Sequence, residues 1–310
     1  MIYNPVAGRL RGKGRARLEH VRQILANSSY TVSLAGTTGP GTAGAIARQA
    51  ILEGTELIVV AGGDGTLNEA ANGIVNSAVP LAILPAGTAN VVATELGLGS
   101  SLEKAAIKIS HCVARRIGIG RLDYANGSRY FLAMAGVGFD AGIVYRLSRR
   151  LKNRLGKAAY WLSGVAQAVQ VYPEFTVQVG GTPQTPCSFA LASRVRNYGG
   201  DFEIAQSITM LDDGFEVVLF RGRHALPYVK YVGGMVTRRL AGMSGVTFLH
   251  AASLTVLQPP NRRIHIQVDG EYAGCLPASI QFVPEALTLM VPPEYFPSHS
   301  PRGLQAEHTR

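Results

Sequence analysis

The sequence predicts an α/β domain built on a parallel sheet, followed by a mainly antiparallel β-sandwich domain. Up to about Ile117, short apolar runs alternate with segments of helical period, the rhythm of parallel strands joined by right-handed crossovers. Beyond it come short alternating runs separated by turn residues, as in an antiparallel sandwich. A glycine-rich loop also follows a wholly apolar strand, at the kind of strand end where α/β sheets bind ligands. The division read from this is 1–117, 118–291 and a tail over 292–310, docked on the first domain or loose.

In chain order, "TVSLAG" (Thr31 to Gly36), "LIVV" (Leu57 to Val60) and "LAIL" (Leu81 to Leu84) read as strands. Ala43, Ile46, Ala47, Ala50 and Ile51 recur at helical spacing, as do Leu67, Ala70, Ala71, Ile74 and Val75. A long helical stretch over roughly Ala141 to Val171 opens the second half. The strands expected after it are "FTVQV" (Phe175 to Val179), "FEVVLF" (Phe215 to Phe220), "LTVLQ" (Leu254 to Gln258), "IHIQV" (Ile264 to Val268), "SIQFV" (Ser279 to Val283) and "LTLMV" (Leu287 to Val291). The tail from Pro292 is rich in proline and has no apolar period.

With 47% hydrophobic and 16% charged residues among 310, the chain can bury a large core and is not disordered. No apolar run is long enough to span a bilayer, and no basic segment followed by an apolar stretch suggests a signal peptide. Cys112, Cys187 and Cys275 are scattered, which fits a reduced, cytoplasmic compartment. A net charge of +10 favours polyanions, whether nucleotides, nucleic acid or an anionic membrane face. Charge alone names none of them.

The run "GGDGT" (Gly62 to Thr66) is the most informative stretch. Its glycines let the backbone approach a ligand closely, and the amides opening the following helix suit a phosphate. A carboxylate there repels phosphate unless a divalent cation lies between, so Asp64 points to Mg²⁺ held against a polyphosphate. The alternative is a plain strand-to-helix turn with Asp64 or Thr66 as N-cap. Two other glycine runs are decoys. "GRLRGKG" (Gly8 to Gly14) has the wrong spacing for a P-loop and lacks its hydroxyl residue. "GVGFDA" (Gly136 to Ala141) lacks the acid about twenty residues on that a dinucleotide ribose needs.

In "VDGE" (Val268 to Glu271), Asp269 and Glu271 flank Gly270, and His265, Gln267 and Asp269 share one strand face. A hairpin turn, favoured by Asp-Gly, and a catalytic carboxylate pair are equally open. "MLDDGFE" (Met210 to Glu216) reads as a turn before a strand.

Taken together, "NPVAG" (Asn4 to Gly8), "GGDGTLNEAANG" (Gly62 to Gly73), "LPAGTANVVATELGL" (Leu84 to Leu98), "GVGFDA", "LDDGFEVVLF" (Leu211 to Phe220) and "VDGE" cover almost the whole chain. In this order they resemble the diacylglycerol kinase catalytic-domain family, with its soluble bacterial lipid kinases and the sphingosine and ceramide kinases. "GGDGT" alone is shared with NAD kinases and phosphofructokinases, whose fold the first domain is expected to share. The resemblance implies an ATP pocket lined by Asn4, Pro5, Val6, Ala7, Gly8, Thr37, Gly63, Asp64, Gly65, Thr66, Leu67, Asn68, Glu69 and Thr88. It implies Glu271 as acceptor of the lipid hydroxyl proton, with Asp269 beside it. It also implies a Mg²⁺ held by Asp213 and the carbonyls of Met210 and Phe215. Val91 stands where the family often has an aspartate, and "TTGPGTAG" lacks the family's usual acid after the glycine.

"YRLSRRLKNRLGKAAYW" (Tyr145 to Trp161) crowds basic residues among leucines at i,i+4 spacing, which suits an anionic lipid surface. Leucines facing the core beneath solvated charges is the plainer reading. The expected activity is that of a cytoplasmic lipid kinase, peripherally associated with the inner membrane face, moving the γ-phosphate of ATP to a lipid alcohol with Mg²⁺. Diacylglycerol is the default acceptor. Expected partners are the lipid and an anionic membrane surface, not nucleic acid; a homodimer is the one assembly left open. A soluble small-molecule kinase of NAD-kinase type is the alternative. A non-catalytic basic nucleotide-binding module is a third reading, against which counts the lack of aromatics interleaved in the basic segments.

Overall fold

The computed structural model describes residues 1–12, 14–138, 172–198 and 202–296. The first half builds β1 (Ile2–Tyr3), α1 (Gly14–Asn27), β2 (Ala35–Gly36), α2 (Thr42–Leu52), β3 (Ile58–Gly62), α3 (Asp64–Ile74), β4 (Leu81–Pro85), α4 (Val91–Glu95) and α5 (Leu102–Ile109). Its strands are parallel in the order β2-β1-β3-β4. Every residue of β3 and β4 is buried, which is why both read as unbroken apolar runs rather than alternating ones. The register from Ile58 opposite Leu81 to Gly62 opposite Pro85 brings the two strands to an end side by side. The segments that follow, Gly63 with the opening turn of α3 and the loop Ala86 to Asn90, are therefore neighbours. The site rests on that.

The second half supplies β5 (Val113–Tyr124), β6 (Gly127–Phe131), β7 (Met134–Gly138), β8 (Phe175–Val179), β9 (Thr185–Cys187), β10 (Phe189–Ser193), β11 (Asn197–Tyr198) and β12 (Phe202–Glu203). It continues with β13 (Phe215–Phe220), α6 (Ala225–Val236), β14 (Val246–Ala251), β15 (Ser253–Leu257), β16 (His265–Val268), β17 (Glu271–Cys275) and β18 (Ala278–Val291). One antiparallel sheet runs β14-β13-β10-β7-β16-β17. Facing it are β5, β6, β15, β8 and β9, joined through β18 to β4 of the parallel sheet. Phe131, Val137, Phe175, Val177, Phe215, Val217, Val256 and Ile266 fill the space between the sheets. The "GVGFDA" glycines Gly136 and Gly138 lie in or at the end of β7, paired with β10. That is no phosphate loop.

Most expected strands are present, with three differences. Only Ala35 and Gly36 of "TVSLAG" pair as strand, because the neighbouring β1 offers just Ile2 and Tyr3. "SIQFV" and "LTLMV" are one strand, β18, with a register shift between Val283 and Leu287 opposite Ile119 and Ile117. The division expected after Ile117 thus falls inside β5. The helical stretch over Ala141 to Val171, with the basic segment Tyr145 to Trp161, lies outside the described residues, as do residues 297–310 of the tail. Tyr295, at the start of that tail, is buried and links the two halves. Its hydroxyl donates to Glu95 Oε1 at 2.9 Å and accepts the Met210 N–H at 3.0 Å. Among the described residues no helix is long and apolar enough to cross a membrane.

Candidate active site

The glycine loop and its neighbour meet backbone to backbone. A Cβ on Gly87 would stand 2.4 Å from the Gly63 Cα, so position 87 needs glycine, and a Cβ on Gly63 would be tight at 3.2 Å from the Gly87 Cα. The Gly87 N–H donates to Asn90 Oδ1 at 2.8 Å, and Asn90 Nδ2 returns a bond to the Gly87 carbonyl at 2.9 Å. This closes the turn that opens α4. Asp64, the first residue of α3, accepts the Val91 N–H at 2.7 Å, so its half-buried carboxylate lies at the N-termini of two helices. Burial, then repulsion from Asp269, pushes its pKa up to about 6.

The loop from Asn4 to Gly8 sits against the same place. Asn4 Nδ2 donates to Thr66 Oγ1 at 3.1 Å, while its Oδ1 accepts the Val6 N–H at 3.1 Å. Arg9, just after Gly8, donates its N–H to the Ala86 carbonyl at 3.1 Å. Pro5 and Val6 are exposed, Ala7 is buried, and Thr88 projects into solvent from the neighbouring loop. Thr37 is fixed by its N–H to the Tyr3 carbonyl at 2.9 Å. Leu67 is buried in the core. Glu69 turns away to cap α2, accepting the Gly41 N–H at 2.7 Å and the Ala43 N–H at 3.3 Å.

The second domain closes on this loop through the β16–β17 hairpin. Asp269 and Gly270 form its two-residue turn, with φ of 48° and 75°, the pairing of a type I′ turn. The hairpin reading is therefore realised. The Asp269 carboxylate accepts four hydrogen bonds, from the N–H groups of Leu132, Ala133 and Met134 and from Asn68 Nδ2, at 2.8–3.0 Å. With its lone pairs committed, Asp269 anchors the turn to α3 rather than serving as a free base. Glu271 is placed differently: its Oε1 would lie 2.3 Å from a Cβ on Gly65. The carboxylate rests directly on the glycine loop, with its side chain 42% exposed.

Arg129, which no sequence motif singled out, holds Glu271 there. Its Nη2 donates to Glu271 Oε2 at 2.8 Å and to Asn68 Oδ1 at 2.8 Å. Asn68 is thereby clamped between Arg129 and Asp269, and it joins α3 to the hairpin rather than facing outward. The only signal in the sequence was a lone arginine in the otherwise polar-aromatic strand "GSRYF".

Gly65→Ala should leave the fold intact, because the clashing atom is the tip of a flexible side chain, yet displace the carboxylate. Turnover should fall about tenfold or more, and Gly65→Ala combined with Glu271→Gln should cost little beyond Glu271→Gln alone. Additive losses in a double-mutant cycle would separate the two residues.

The expected Mg²⁺ at Met210, Asp213 and Phe215 does not fit this structure. The buried guanidinium of Arg194 stands at that turn. Its Nη2 donates to the Met210 carbonyl at 2.7 Å, and its Nη1 donates to the carbonyls of Asp212 at 2.5 Å and Gly214 at 2.7 Å. Phe282 caps the group at 4.8 Å. Burial brings the Arg194 pKa down to about 10, so it stays cationic at neutral pH and repels a second cation. Asp213 itself is exposed. Arg194→Met would strand these carbonyls, and a loss of about 3–5 kcal/mol is expected. Urea unfolding of the two proteins measures it; stabilisation of Asp64→Asn by Mg²⁺ would reinstate the metal at this turn. Asp64, by contrast, fits a divalent cation: burial and repulsion from Asp269 disfavour its bare charge, which a bound cation would offset.

Comparison with known proteins covers both halves. Residues 1–122 match the family model described as diacylglycerol kinase catalytic domain. Residues 133–291 match the one described as YegS C-terminal NAD kinase beta sandwich-like domain. The chain is 29% identical over 301 residues to a diacylglycerol kinase of Bacillus subtilis (strain 168), covering 95% of this chain and 96% of that one. It is 28% identical over 248 residues to a diacylglycerol kinase of Mycobacterium tuberculosis (strain H37Rv), covering 78% and 79%. A crystal structure of a diacylglycerol kinase from Bacillus anthracis superposes with a TM-score of 0.77 at 21% identity, over 94% of this chain and 96% of that one. That last likeness speaks to the fold.

Proposed function

We propose, for a chain that belongs to the diacylglycerol kinase family, that it moves the γ-phosphate of ATP to a lipid hydroxyl, with diacylglycerol as acceptor and phosphatidic acid as product. The observation that carries this is the Glu271 carboxylate resting on Gly65. A hydroxyl hydrogen-bonded to Glu271 lies next to whatever phosphate the loop binds. The opening amides of α3 supply donors for the phosphates, and the Asn4–Gly8 loop flanks them. Arg129 orients Glu271, which takes the hydroxyl proton as the oxygen attacks phosphorus. Asp64 would hold Mg²⁺, which supplies charge neutralisation at the phosphates when bound.

Three considerations support a membrane-borne acceptor and a cytoplasmic, peripheral protein: the family, the +10 net charge and the absence of a crossing helix among the described residues. The test is labelled ATP with a panel of lipid alcohols in mixed micelles beside water-soluble acceptors, the products resolved by chromatography. Label in the diacylglycerol product supports the reading; label solely in a water-soluble acceptor replaces it with a small-molecule kinase.

A further inference from the structure

Helix α6 presents an apolar face that nothing in the described structure covers. Leu226, Val229, Val232 and Val236 are 79%, 64%, 37% and 60% exposed, and at 3.6 residues per turn they fall within an arc of about 120°. The opposite face is fixed. Tyr228, Tyr231 and Met235 are buried, Tyr228 Oη lies 2.8 Å from Ser188 Oγ, and Tyr231 donates to the Arg221 carbonyl at 2.6 Å. The stripe is therefore held outward by a helix that is itself anchored. Single exposed aliphatics are ordinary, but four on one face of one helix form a patch.

The surrounding charge is mostly basic, the acids that reach it being Glu174, paired with Arg223, and Glu203, paired with Arg238. From Val217 to Val268 the chain has no Asp or Glu. Arg221 precedes the helix, Lys230 lies beside the stripe, and Arg238 and Arg239 follow its end, all exposed. An aliphatic stripe bordered by cations is the pattern of a helix lying in the headgroup region of an anionic bilayer. A second copy of the chain is a poorer occupant, since a two-fold contact through this face would set Lys230 and its basic neighbours against themselves. An acidic protein partner would meet no aromatic anchor on the stripe.

We propose that α6 is the element through which this protein docks on anionic membranes, its four aliphatic side chains entering the acyl boundary while the flanking cations meet lipid headgroups. The choice of a bilayer as occupant rests on the lipid-acceptor reading. Vesicle binding without ATP keeps the two separable. Helix α6 follows the Phe220 end of β13, which pairs through Phe189 with Gly138, whereas the Asp269 N–H is bound at Met134, the far end of β7. Substitutions on the stripe thus leave Glu271 and the glycine loop untouched.

The test is co-sedimentation with vesicles of phosphatidylglycerol and phosphatidylcholine at low and high salt. It compares the wild type with Leu226→Gln, Val229→Gln and Val236→Gln combined; these exposed positions tolerate the change without unfolding, as circular dichroism checks. The triple variant should partition at least tenfold more weakly, and 1 M salt should weaken wild-type binding, because exposed cations act over about 3 Å there. Val229→Trp should gain fluorescence quenched by brominated lipid, read as the difference from the wild type. Unchanged partitioning of the triple variant, or no quenching at Trp-substituted 229, overturns the proposal. So does a wild-type dimer that the triple variant abolishes. Stripe-dependent vesicle binding with no lipid phosphorylation would leave α6 standing and sink the acceptor reading instead.

Discussion

Asp64→Asn should lower phosphoryl transfer about a thousandfold, the loss of roughly 4 kcal/mol of charge stabilisation at the phosphates, while making the unliganded protein more stable. Both effects come from one environment. Burial and Asp269 raise the Asp64 pKa from 3.8 to about 6, so folding favours the protonated form. The sign follows: this group's contribution to stability is fully present below pH 3.8 and is lost as pH rises through about 6. Asparagine carries no charge to bury and keeps an oxygen for the Val91 N–H. The gain should be about 1–3 kcal/mol at pH 8 and vanish near pH 4. Chemical denaturation at the two pH values measures it. Wild-type turnover at saturating Mg²⁺ would reduce Asp64 to a cap for α4.

Glu271→Gln should cut the rate by a factor of roughly a hundred or more, the usual worth of a positioned general base, with ATP affinity retained. The amide can still receive the Arg129 hydrogen bond that now ends on Oε2 at 2.8 Å, and it is the same size above Gly65. Only the capacity to take a proton is removed. Calorimetric titration with ATP alongside initial rates separates the outcomes. An equal loss in both would make the hairpin a structural clamp, with the base elsewhere.

Much of this architecture was legible in the sequence because its signals are local. β3 and β4 are buried throughout, and burial on both faces is written as an unbroken apolar run. The glycines at 63 and 65 were legible as a close-approach loop, although what approaches them was not. Gly63 meets Gly87, and Gly65 meets Glu271, partners that only the closed chain reveals. The same holds for Asn68, whose bond to Asp269 spans 201 positions, and for Arg129. A side chain that works by joining two domains leaves no periodicity behind. Arg194 shows the limit of carrying a ligand set across by position. The backbone carbonyls at 210 and its neighbours are present in any sequence, and here a distant guanidinium occupies them. The stripe on α6 escaped notice for the opposite reason. "ALPYVKYVGGMV" is apolar on nearly every side, so pattern alone does not tell the anchored face from the bare one.

The most direct test of the account is a single turnover. Enzyme preloaded with γ-labelled ATP and Mg²⁺ is mixed with diacylglycerol micelles, quenched at intervals and extracted into organic solvent. If the glycine loop and Glu271 form one phosphoryl-transfer centre, label should enter the lipid phase in a single exponential in the wild type. In Glu271→Gln it should enter about a hundredfold more slowly from an equally loaded complex. Label that stays in the aqueous phase, as nucleotide, free phosphate or a water-soluble product, would contradict the account.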